Sequence, residues 1–194
     1  MMNLIIDGSV LVADHFSGIG HYLQGIVEQL DKELGEDENR DLNVSIVVPY
    51  KRADRLEKYH FKNITIKKIP LPMSVFRKLV VKDSLPKMDT FFGKGVYFFP
   101  DYNTWPLSEG SRAITTVHDL SFIEVPQYVD DTNAAFLKDT LDKTIKRTAK
   151  IATVTHTMKQ QLMSQFNLSN ERVIVTENAA DTAHFYKRSE TEIK

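Results

Sequence analysis

The chain has 194 residues, 42% hydrophobic and 26% charged, with a net charge of −1, the profile of one globular domain large enough to bury a substantial core. It contains no cysteine, which excludes disulfides and thiolate metal sites. Its longest apolar runs, such as "GVYFFP", are too short to cross a bilayer, and the N-terminus lacks the basic start of a secretory signal, so a cytoplasmic location is expected.

The first apolar run, 3–6, reads as a strand, and "SGIGHYLQGIVEQL" follows it as an amphipathic helix. Leu23, Ile26, Val27, Leu30 and Leu34 fall on one face of that helix. Gly18 and Gly20 stand at its start although glycine is among the poorest helix formers. A helix N-terminus offers unpaired amides and the positive end of a dipole, and glycine removes the Cβ that would keep a ligand away. Both glycines are therefore candidate phosphate neighbours. The alternative is a loop geometry capped by Ser17, since "SGIG" is neither a dinucleotide fingerprint nor a phosphate loop.

Charge is uneven beyond this helix. Residues 28–41 hold seven acidic side chains against Lys32 and Arg40, whereas 51–94 hold twelve Lys and Arg against Asp54, Glu57, Asp83 and Asp89. The stretch from Lys51 to Lys94 reads either as a solvated polar face or as a peripheral contact with an anionic membrane surface. Within it, Phe76, Leu79 and Val80 form either an apolar face for lipid or the buried side of a connecting helix.

Further strands are expected at 44–48, 64–69, 95–99, 113–117, 151–154 and 172–176, several of them almost wholly apolar, as buried parallel strands are. Helices are expected over 132–149, carrying Leu137, Leu141 and Ile145, and around Met158, Leu162 and Phe166, the latter capped by Thr157 with Gln160 three residues on. Alternating strands and helices without hairpin turns predict an α/β fold with an open, doubly wound parallel sheet. Ligands of such sheets gather at the carboxyl ends of the strands. The segments there are "DGSVLVADHFSGIG", "PDYNTWP", "HDLSFIEVPQYVDD", "THTM" and "ENAADTAHF".

In "AITTVHDLSF" a strand ends directly in His118 and Asp119. An imidazole at that edge can hydrogen-bond a sugar hydroxyl or a phosphate, or transfer a proton near neutral pH. Asp119 reads as a residue that orders the loop. A metal site built from His15, His21, His118 and His156 lacks the usual ligand spacing, so no metal is expected.

Four stretches, "GIGHYLQGIVEQL", "TTVHDLSF", "IKRTAKIATVTHTMKQQL" and "RVIVTENAADTAHFY", occur in an order and spacing that resembles the N-terminal domain of a family-4 glycosyltransferase. The resemblance implies a Rossmann-like sheet with helices on both faces, one half of the two-domain GT-B architecture. It implies a retaining, metal-independent transfer of sugar from a nucleotide-sugar donor to the hydroxyl of a carbohydrate or lipid-linked acceptor. Gly18 and Gly20 would then lie near the donor phosphates and His118 would face the transferred sugar. Asp119, Thr155, Asn178 and Asp181 would lie on the acceptor and hinge side. Residues 1–185 would form the acceptor-side domain and 186–194 the start of a linker to a C-terminal nucleotide-binding domain, without which the chain is expected to be inactive. No cofactor and no nucleic-acid partner are expected; the cytoplasmic location would lie at the inner face of the membrane. Ala179 and Ala180 stand where the family carries Gly-Val, and His21 where it often carries Arg. Two other readings remain: a non-catalytic module that binds a glycan or a protein, and half of a sugar-nucleotide epimerase or phosphorylase of the same architecture.

Overall fold

The computed structural model describes residues 2–36, 41–72, 75–76, 78, 87–128, 131–180 (the first six as backbone only) and 186–188. Strands β1 (Met2–Asp7), β2 (Leu42–Pro49), β3 (Thr65–Ile69), β4 (Val96–Phe99), β5 (Arg112–Val117), β6 (Lys150–Thr153) and β7 (Val173–Val175) form a seven-stranded sheet. Their order is β3-β2-β1-β4-β5-β6-β7, and every neighbouring pair is parallel. Helices α1 (Gly18–Glu33), α2 (Asp89–Phe92), α3 (Ser121–Glu124), α4 (Asp131–Arg147) and α5 (His156–Phe166) flank it. The result is the open α/β sheet that strand–helix alternation predicts.

Side-chain alternation along the central strands divides the interior. Val44, Ile46 and Val48 of β2 join Ile6, Leu11, Leu56 and the α1 residues Leu23 and Val27 on one face. Val47 turns the other way and joins Ile5, Tyr97, Phe99 and Trp105. A third cluster under β5, β6 and β7 collects Val117, Ile151 and Val173 with Leu141 and Ile145 of α4 and Met158 and Leu162 of α5. All seven predicted strands are present, with ends that differ by one or two residues.

One local expectation is corrected and two open alternatives are decided. The cap of α5 is Thr155, whose hydroxyl accepts from Met158 N at 3.1 Å. Thr157 lies inside the helix, because the extended backbone that a cap requires occurs two residues earlier. Ser17 sits at the N-cap of α1, but its side chain makes no capping bond. Phe76 is buried and meets Trp105 edge-on at 5.4 Å, so it belongs to the core and is not free to enter a lipid surface. Leu79 and Val80 lie outside the described residues. Among the described residues no helix is long and apolar enough to cross a membrane.

Much of the basic stretch is engaged within the fold. Arg52 and Arg55 reach from the 3-10 segment Tyr50–Tyr59 to Asp14 at 2.6 and 2.9 Å, and both donate to the Val12 carbonyl. Each ion pair is half-exposed and worth little alone. Together they fasten the loop between β1 and α1 to the segment after β2. Lys94 lies 3.2 Å from the buried Asp89, and Lys67 donates to the Phe92 carbonyl.

That loop leaves β1 through Gly8, which is fixed by packing. A Cβ there would lie 2.3 Å from Ile46 Cγ2 and 2.9 Å from Val48 Cγ1. Both partners are fully buried and β-branched, so neither can turn aside. Gly8→Ala should therefore lower stability by roughly 1–3 kcal/mol, read from denaturant unfolding, whereas Gly18→Ala, which meets nothing within 4 Å at the first position of α1, should be neutral or slightly stabilising.

Candidate active site at the strand ends

Strand β1 is flanked by β2 on one side and β4 on the other, so the connections that leave β1 and β4 diverge. In open α/β sheets this reversal opens the ligand crevice at the carboxyl edge. Asp7 ends β1, Pro100 and Asp101 follow β4, and His118 follows β5. Three neighbouring strands thus deliver two carboxylates and an imidazole to one edge.

His118 is held by a contact that defines its chemistry. Its Nε2 lies 2.8 Å from the Pro100 carbonyl oxygen. A carbonyl only accepts, so Nε2 must carry the proton and the neutral ring keeps Nδ1 as an acceptor. Tyr22 of α1 meets the ring edge-on, with centroids 4.9 Å apart and planes at 88°. Such a contact contributes about 0.5–1.5 kcal/mol beyond area burial. The Tyr22 hydroxyl lies 3.2 Å from Thr116 Oγ1, in the strand that carries His118.

The two carboxylates differ in their support. Asp7 is buried at 7% exposure, and its Oδ1 accepts from Ser9 N at 2.9 Å. Burial, reinforced by the nearby charge of Asp101, pushes its carboxyl up to about 7 despite the Ser9 bond. Asp101 is half-buried and accepts from Asn103 N at 2.7 Å and Asn103 Nδ2 at 3.1 Å. Burial raises its carboxyl as well, against the Asn103 bonds and the field of His118. The edge therefore offers hydroxyl-binding oxygens, and one acid that changes charge near neutral pH.

Helix α1 begins beside this edge. Its first bond runs from His21 N to Ser17 O at 3.1 Å, so the amides of the preceding turn lie outside the helical ladder. Gly18 has open space where a Cβ would stand. Gly20 is different: the Phe16 ring lies 3.0–3.2 Å from its Cβ position, so this glycine seats an aromatic ring. Phe16 in turn meets His21 edge-on at 4.7 Å and lies under Lys58 Nζ at 5.2 Å.

The remaining candidates lie apart from that cluster or serve local structure. Asp119 accepts from Ser121 N at 2.9 Å and Ser121 Oγ at 2.6 Å, which orders the start of α3. The Thr155 hydroxyl is occupied by its cap, Asn178 is exposed, and Asp181 lies outside the described residues. His156 is exposed and lines a shallow groove with Lys159, Glu171 and Glu177 along β7. Among the described residues no three His, Asp or Glu side chains are arranged to hold a metal ion.

No protein-family model matches the sequence, and no curated protein matches it significantly. The site therefore rests on its own geometry. Asp7, Asp101 and Tyr22 are the residues that reading the sequence passes over. The available signal was an acidic residue within two positions of the end of each of two apolar runs that prove to be neighbouring strands.

The raised carboxyl of Asp7 has a thermodynamic consequence. Folding favours its protonated form, so the stability it contributes is complete below pH 4 and is lost as pH rises toward about 7. Asp7→Asn keeps the Ser9 bond and removes the charge. It should flatten that part of the pH–stability profile and leave the variant more stable than the parent at pH 8, by on the order of 2–4 kcal/mol in urea unfolding. Parallel profiles for the two proteins would show that Asp7 is ionised at no cost.

Proposed function

We propose that the chain is the acceptor-side domain of a retaining glycosyltransferase that moves a sugar from a nucleotide-sugar donor to an acceptor hydroxyl. The observation that carries the reading is a convergence. Two of the four stretches that resemble this family, "GIGHYLQGIVEQL" and "TTVHDLSF", are remote in sequence yet meet where Tyr22 touches His118 and Thr116. They do so at the sheet edge where parallel α/β folds bind ligands.

Each residue has a role in this reading. The first turn of α1, open at Gly18, would face the diphosphate and stabilise its charge as it leaves. His118 would accept a hydrogen bond from a hydroxyl of the transferred sugar through Nδ1. Asp7 and Asp101 would accept from neutral hydroxyls, a role that suits a carbohydrate or other polyol and disfavours an acceptor with its own negative charge at that spot. A second domain across the cleft would hold the nucleotide and exclude water. Peripheral membrane contact through the residues between Lys51 and Lys94, at the cytoplasmic face, accords with a lipid-linked acceptor, although Arg52, Arg55, Lys67 and Lys94 already bind within the domain.

In the two-domain enzyme, His118→Ala should lower sugar transfer on the order of a hundredfold, about 2–4 kcal/mol of transition-state stabilisation, and leave affinity for the nucleoside diphosphate nearly unchanged. The 194-residue chain alone should show no transfer. Turnover by the isolated chain would contradict the half-enzyme reading. Near-normal transfer by a folded His118→Ala enzyme would remove His118 from the site.

A further inference from the structure

Tyr22 belongs to α1, whose apolar face packs on the β1–β2 side of the sheet through Leu23 and Val27. Its side chain nevertheless reaches β5, which is separated from β1 by β4. It is half-buried there, tied at one end to the fully buried Thr116 and set edge-on against His118 along its ring. The contacts it makes are with the imidazole and with the strand that carries it.

We infer that Tyr22 is a positioning residue for His118: it holds the imidazole so that Nε2–H stays on the Pro100 carbonyl and Nδ1 is kept as the open acceptor. Rotation about the Cβ–Cγ bond would break the 2.8 Å bond to Pro100, and the proton could then move to Nδ1. The Tyr22 ring blocks the rotation sterically, and the Thr116 contact prevents Tyr22 itself from swinging away. Thr115, the residue before Thr116, donates to the Asp101 carbonyl and so anchors the Pro100–Asp101 segment from the same strand. Both sides of the imidazole are thus referenced to β5.

The consequence reaches the helix. Tyr22 lies four residues after Gly18, about one turn along α1. The open first turn of the helix and the imidazole are joined through one rigid side chain, so a displacement of either is felt by the other. What His118 then does with Nδ1 rests on the glycosyltransferase reading. The tautomer and ring orientation are properties of this chain by itself.

The test uses the 194-residue chain and long-range proton–nitrogen NMR of its histidine rings, with His118→Gln to assign the His118 signals. The parent should show one neutral tautomer at His118, protonated at Nε2, with that proton protected from exchange. Tyr22→Phe keeps the ring but loses the hydroxyl that meets Thr116; it should retain the tautomer, with protection lowered about two- to fivefold. Tyr22→Ala should populate the second tautomer and lower protection about tenfold or more, while amide signals remote from the site hold their positions. Thr116→Val, which removes the same tether from the strand side, gives a milder variant should Tyr22→Ala fail to fold, and it should match Tyr22→Phe. An Nδ1-protonated parent, or the same single protected tautomer in Tyr22→Ala, would overturn the assignment; if only Thr116→Val folds, unchanged signals in it would do so. Absence of sugar transfer in the two-domain parent enzyme would count against the proposed reaction and leave these NMR outcomes as they are.

Discussion

Everything at the candidate site depends on the parallel register of β1, β4 and β5. Leu4 pairs with Val96 and Ile6 with Phe98, and Phe98 in turn pairs with Ile114. Because all three strands run the same way, their last residues arrive at one edge, and the residues that follow cannot avoid one another. His118 and Pro100 are 18 residues apart in sequence, and Tyr22 and Thr116 are 94 apart. An antiparallel β4 would send its carboxylate to the opposite end of the sheet.

The edge is made of groups that a stable core would not retain. A buried carboxylate beside a second one, with no cation paired to it among the described residues, costs free energy whenever it is ionised. The surrounding sheet offsets this with well-filled clusters on both faces, including the fully buried Tyr97 and Phe99 directly beneath the β4 end. The loop between β1 and α1 is fastened by Arg52 and Arg55 through Asp14. Rigid support and an electrostatically uncomfortable surface, placed together, are what a preorganised site requires.

The strands were the most legible part of the sequence. Runs such as Val44 to Val48 and the β5 stretch are buried on both faces, so they carry an apolar signal with little alternation. The 3-10 segment Tyr50–Tyr59 was not legible, because charged side chains dominate it and its structural role is to bring two arginines to a remote loop. The α5 cap is not legible because "THTM" offers two threonines, of which only Thr157 has a Gln three residues on, whereas backbone geometry chooses Thr155. Phe76 shows the limit of periodicity, which finds an apolar face without saying whether sheet or solvent receives it. At the site, His118 was visible because it directly follows an apolar strand. The convergence of Asp7, Asp101 and Tyr22 upon it was not, since it requires β1 to lie between β2 and β4, a fact of topology and not of local pattern. Gly20 was legible as unusual, but the reason for it, the Phe16 ring, lies four residues earlier and in a loop.

The proposed function requires that a sugar nucleotide bind at the crevice between β1 and β4. Amide shift mapping of the 194-residue chain against a panel of uridine- and guanosine-diphosphate hexoses addresses it directly. At ligand concentrations on the order of 10 mM, even a contact worth about 3 kcal/mol is detected. One member of the panel should perturb Gly18, Tyr22, Asp101 and His118 together. Shifts confined to the groove along β7, or no shift at these four residues with any donor, would contradict it.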